Sequence, residues 1–182
     1  MKPIATIAIL CTALQVPAAS LPIPIARIMR VAHQYDASIS CDTHIDRRNI
    51  VTLGSDAEGE VVDIAVLVFH DRECMGGSGT EGADLIKLTY YPNRADGRIF
   101  VNARASFPNA IEDGLPRFID RIFVRNGKLT YTGWAHKGSE PPNFPSQRVS
   151  SELELVSQDV SPSVGQSHTI WTWVSKTKYD AY

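Results

Sequence analysis

No hydrophobic run in this sequence is long enough to span a bilayer. The most apolar stretch, Ile4 to Leu14, covers about half of the roughly 20 residues a transmembrane helix needs. Pro22 and Pro24 keep it from continuing. A basic cluster is missing too. Lys and Arg number 18 against 20 Asp and Glu, and the two signs are mixed along the chain. That argues against a nucleic-acid binder and gives no support for attachment to anionic lipid. No internal repeat or low-complexity tract is present, which excludes solenoids and tethers. Cysteine is scarce, with three in 182 residues.

What is present begins with a leader. Met1-Lys2-Pro3, the uncharged Ile4–Leu14 core and the small residues Ala18, Ala19 and Ser20 form the three parts of a secretory signal peptide. Residues 1–20 are expected to be cleaved, after Ala18 or Ser20. Residues 21–182 are then one exported domain without a membrane anchor, periplasmic or secreted. Cys11 lies inside the apolar core, which argues against lipidation. Its removal leaves Cys41 and Cys74, an even pair in an oxidising compartment and therefore an expected disulfide. Closing that loop is worth roughly 3–4 kcal/mol in the chain-entropy picture.

Periodicity predicts one helix and then strands. Ile25, Ile28, Met29, Ala32, Tyr35 and Ile39 recur at three- and four-residue steps, with Arg27, Arg30, Gln34 and Asp36 on the opposite face. The helix should stop near Ser38. Val61 to Phe69 reads as a central strand covered on both faces. Leu85–Tyr91 and Arg98–Ala105 are further strands. Phe118–Arg125 and Lys128–His136 flank Asn126-Gly127, the signature of a two-residue hairpin turn. Lys137–Gln147 is a proline-containing loop. The alternation from Val149 to Leu155 reads as a half-exposed strand, Ser157–Ser167 as a polar connection, and His168–Val174 as the last strand. Lys176–Tyr182 is expected to be a polar, frayed tail. The fold class is α+β: an amphipathic N-terminal helix packed on a mainly antiparallel sheet of about six or seven strands.

The chemistry-bearing segments are few. Gly76, Gly77, Ser78, Gly79 and Thr80 form a glycine-rich candidate binding loop. A nucleophile elbow there would need glycine two places after Ser78, where Thr80 stands, and a helix next, where strand residues follow. A phosphate loop would need a lysine that is absent. Cys41, His44, His70 and Cys74 are residue types suited to zinc, yet an exported pair of thiols oxidises before loading metal. His70 with Asp71, Glu73 or Asp84 could make an acid–base pair. The carboxylates at 56, 58, 60 and 63 lack the spacing of a calcium loop and read as a solvated approach to a strand. Trp134, Trp171 and Trp173 lie on strands and are candidate partner-contact aromatics, against the commoner role of core filling. No catalytic set, metal or cofactor is expected. The expectation is a non-enzymatic protein-binding module of the bacterial cell envelope, an inhibitor, immunity protein or accessory factor of a secretion or transfer apparatus, with another envelope protein as partner. The alternatives are a small hydrolase using Ser78 or His70, and a carbohydrate-binding module.

Overall fold

The computed structural model describes residues 23–76, 81–113, 118–141, 143–160 and 168–179. The signal-peptide assignment and Gly77, Ser78, Gly79 and Thr80 of the candidate loop lie outside them. Helix α1 spans Ile25–Asp36. Its apolar positions recur every three or four residues, and Pro24 precedes its first turn, where a missing N–H costs nothing. The strands that follow are β1 Cys41–His44, β2 Ile50–Ser55, β3 Val62–Asp71, β4 Glu81–Tyr90, β5 Ile99–Val101, β6 Ile111–Asp113, β7 Phe118–Arg125, β8 Lys128–Ala135, β9 Gln147–Val160 and β10 His168–Tyr179.

These ten strands form two five-stranded sheets rather than the single sheet of six or seven expected. In the first, β3 and β4 are central, β5 borders β4, and β1 and β2 share the other edge of β3. In the second the order is β6-β10-β9-β8-β7. Among the described strands only β6 and β10 pair in parallel. The mixed, mostly antiparallel class with one helix agrees with the sequence reading.

The layers follow from the two-residue period of β3. Ala65 and Leu67 face the second sheet and pack with Leu85, Ile122, Tyr131, Val149 and Trp173. Ile64, Val66 and Val68 face the helix and pack with Ile28, Ala32, Ile86 and Leu88. The near-continuous apolar run therefore marks a strand covered on both sides, as its sequence predicts.

The Asn126-Gly127 hairpin forms as expected, both residues with positive φ (53° and 75°). Opposite its base, Gly133 is indispensable. A β-carbon there would lie 2.3 Å from the backbone carbonyl oxygen of Phe118, beside the register slip between Ile119 and Arg121. Gly133→Ala should therefore cost about 1–3 kcal/mol in urea unfolding. Gly54→Ala, where a β-carbon meets nothing within 4 Å, should stay within about 0.5 kcal/mol. Equal effects of the two substitutions would contradict the packing described.

Three local readings are corrected. Residues 176–179, expected to fray, continue β10 and pair with β9 up to Tyr179–Val149. Residues 157–160, expected in a polar connection, belong to β9, because strand pairing with β10 satisfies their backbone. Asp36, assigned to the solvent face of α1, is fully buried on the Ile28–Ala32 stripe. The two sheets are also tied by one amide: Asn49 donates to the Asp120 carbonyl (3.1 Å) and accepts from the Ile122 N–H (3.1 Å), along the outer edge of β7.

Candidate functional site

Two places concentrate chemistry. The first lies between the C-terminus of α1 and the helix-facing side of β3 and β4. Val68 pairs with Asp84 and His70 with Gly82, so the His70 and Asp84 side chains are diagonal neighbours on one face. The helix delivers Asp36 from above. His70 Nδ1 bonds Asp36 Oδ1 at 2.7 Å and Nε2 bonds Asp84 Oδ2 at 2.6 Å, all three side chains being fully buried. Asp36 Oδ2 accepts from Ser40 and Thr43 hydroxyls at 2.8 Å each. Arg72 pairs with Asp84 Oδ1 and stacks over the Phe107 ring at 5.2 Å, while that ring packs on His70 at 4.8 Å. Gly82 makes room: a β-carbon there would sit 2.7 Å from Arg72 Nε.

Two carboxylates, one imidazolium and one guanidinium make a quartet with no formal net charge. Burial alone would lower the His70 pKa, but the bonds and charges of Asp36 and Asp84 outweigh it and hold it at about 9. Burial would likewise raise Asp36, yet the bonds from His70, Thr43 and Ser40 leave it below its usual value. A general base needs a ring nitrogen that can reach a substrate proton. His70 has both nitrogens committed, is buried and holds its proton. The His70–Asp84 pair suggested by the sequence thus exists as structure rather than as an acid–base couple. The sequence reading missed Asp36 and Arg72 as its partners. Of the other suggested partners, Asp71 caps the next turn, accepting from the Glu73 and Gly76 N–H groups at 3.1 and 2.6 Å.

The zinc alternative, set aside in the sequence in favour of a bridge, lacks its thiolates. Cys41 and Cys74 are disulfide-bonded with Cα atoms 5.2 Å apart, as expected for the bridge, so neither offers a thiolate. Among the described residues no cluster of three or more His, Cys, Asp or Glu is arranged to hold a metal ion. Asp63, placed with the solvated carboxylates, instead pairs with Lys87 at 2.8 Å and accepts from Thr89.

The second place is an open cleft of about 840 Å³ at the end of the sandwich. Phe69 and His44 line it from the first sheet, Phe118 and Trp134 from the second, and Phe144 and Pro145 from the loop after β8. Trp134 is 37% exposed and Phe144 72%. Arg148 lies over the Trp134 ring at 4.9 Å and pairs with Asp120 at 2.6 Å, fixing the indole. The loop carrying Phe144 is closed by Glu140, whose carboxylate accepts from the Lys137 and Ser146 N–H groups at 2.9 and 3.0 Å. Those bonds hold its pKa below the ordinary carboxylate value.

The three tryptophans separate. Trp134 is at the cleft. Trp173 is a core residue, 2% exposed, with its indole N–H donating to the Ala105 carbonyl at 3.2 Å, and is no contact aromatic. Trp171 is half-buried on β10, opposite Ser157. His44 was considered in the sequence only as a zinc-type ligand and Phe144 was not singled out; an aromatic inside a proline-bearing loop was the one signal for Phe144. Among the described residues no helix is long and apolar enough to cross a membrane. No protein-family model matches the chain, and no curated protein or solved structure is detectably similar to it.

Proposed function

We propose that this protein is an exported, non-enzymatic binding module of the bacterial cell envelope, which takes an apolar segment of another envelope protein into the aromatic cleft. The observation that carries this reading is the pair Trp134 and Phe144. Both are exposed at the mouth of an apolar cleft, one fixed by Arg148 and the other on a loop closed by Glu140. Large rigid aromatics held in place bind with little ordering cost, which is the character of interface hot spots. A protein segment fits better than a sugar. The walls are mainly apolar and aromatic, His44, Glu81 and Asn143 are the polar residues beside them, and Asp120 is taken up by Arg148, whereas sugar recognition needs many polar groups directed at hydroxyls. The leader-like residues 1–20 and the single disulfide support export. An inhibitor, an immunity protein and an accessory factor of a secretion or transfer apparatus are all binding modules of this kind.

The test is capture from a bacterial envelope extract by the purified protein and by Trp134→Asp/Phe144→Asp. Both positions are exposed, so circular dichroism should be unchanged. One defined protein should be retained by the wild type and lose tenfold or more in affinity with the variant. Equal retention by both, or saturable binding of soluble glycan fragments alone, would sink the reading.

A further inference from the structure

Three non-glycine residues among those described have positive φ. Asn126 belongs to a hairpin turn that requires it. The other two are at the disulfide: Cys74 itself at 57°, and Asp42, next to Cys41, at 50°. Aspartate visits this region more readily than cysteine, for which it is uncommon. Residues held there persist only where their surroundings impose it, and they gather at switch regions. The bridge is also reachable, since Cys74 is exposed and Cys41 half-buried.

What the bridge holds is slight. β1 has four residues and two ladder pairs, Cys41–Asp71 and His44–Phe69, with an irregular register between them. None of residues 41–44 or 72–76 belongs to either hydrophobic core. Yet β1 ends in His44, which forms the cleft wall with Phe69, ring centroids 6.4 Å apart. Behind it, Ser40 precedes β1 and bonds the buried Asp36 independently of the strand, while the Thr43 bond to Asp36 is a tie that β1 gives up on opening.

We propose that the Cys41–Cys74 bridge is a redox-opened clasp on the cleft wall, released by a dithiol reductant while both cores stay intact. A thiolate of the reductant attacks Cys74 Sγ, the Sγ–Sγ bond breaks, and Cys41 leaves as a thiolate that takes up a proton. The reductant's second thiol then displaces Cys74. The protein gains two electrons and two protons as two thiols, and the reductant ends as a disulfide. Asp42 and Cys74 relax, and β1 loosens from β3, withdrawing His44 from Phe69. The effect on binding rests on the cleft being the binding site; the opening itself does not.

Dithiothreitol serves as the reductant, with thiols counted by alkylation and mass measurement. Reduction of the native protein should run within about tenfold of its rate in denaturant, because no unfolding has to precede it. A native rate a hundredfold or more slower would overturn the proposal. Hydrogen exchange of the reduced protein should show lost protection at residues 41–44 and 72–76 and retained protection at 64–68 and 85–88. Unchanged protection at 41–44 would overturn it, and so would loss across the whole chain. Capture assays separate the two readings. If neither redox form captures a partner but exchange loosens as described, the clasp stands and the cleft reading falls. If the oxidised protein captures a partner and Cys41→Ser/Cys74→Ser captures it equally well, the clasp does not act on the cleft.

Discussion

Replacing Asp84 with alanine should lower the unfolding free energy by about 3–5 kcal/mol, the cost of breaking a buried ion pair by removing one partner. Against a typical domain stability of about 5–15 kcal/mol this is a large fraction. The substitution leaves the buried His70 Nε2–H without its carboxylate and strips Arg72 of the charge it lies against. It also turns a neutral quartet into one with an excess positive charge. Denaturant unfolding of the variant measures the effect. A double-mutant cycle with His70→Ala should give a coupling of at least about 1 kcal/mol, as expected for neighbours in one network. Lys128→Ala provides the contrast. Lys128 pairs with Glu152 at 2.8 Å on the surface, and its loss should change stability by no more than about 1 kcal/mol. If Asp84→Ala proved as mild as that, the quartet would not be holding the helix to the sheet.

Stability should fall by about 3 kcal/mol as the pH is raised from about 6.5 to beyond about 9. His70 binds its proton more tightly in the folded state, with a pKa of about 9 against an ordinary 6.5. Its contribution is therefore complete below about pH 6.5, declines as the pH rises toward 9 and is gone above that. Two other groups act outside this window. Asp36 sits below its ordinary 3.8, so its contribution is present above that value and is lost as the pH falls through its lower folded one. Tyr35 is raised above its ordinary 10 by burial and then by the charge of Asp36, against the opposing bond from Asn109, so its effect begins only above pH 10. Thermal unfolding across pH 6–10 checks the prediction. In His70→Gln the drop between pH 6.5 and 9 should disappear. A wild-type profile flat across that interval would contradict the charge assignment of the quartet.

The sequence shows elements whose cause is local and hides those whose cause is distant. The helix stripe through Ile28 and Ala32, the β3 run and the Asn126-Gly127 turn are set by period and turn chemistry, and each is found where expected. β1 and β2 carry only four and six residues, and their pairing with β3 depends on a partner further along the chain. The second sheet was unreadable for the same reason, since nothing in Val149–Leu155 says which strand lies beside it. Asp36 is the sharpest case. It stands four residues after Ala32, one turn along the buried stripe, yet its charge set it with the polar residues of the opposite face. Only His70, 34 residues away, resolves the conflict. The cleft was half visible: Trp134 was a candidate, while Trp173, of the same residue type on a similar strand, went to the core because Ala105 offers its indole an acceptor.

The division of the chain between the sheets bears on the order of folding. The first sheet uses residues 41–101 and the second 111–179, with no strand exchanged between them. The helix, the disulfide and the quartet all lie before residue 91. A chain that emerges from its N-terminus can therefore complete the helix-covered layer, bridge included, before any strand of the second sheet exists. During that interval Ala65, Leu67 and Leu85 present a bare apolar face. The second half of the chain then acts as an intramolecular cover for the first. A truncation ending near residue 105 should accordingly hold its helix and disulfide while self-associating through that uncovered face.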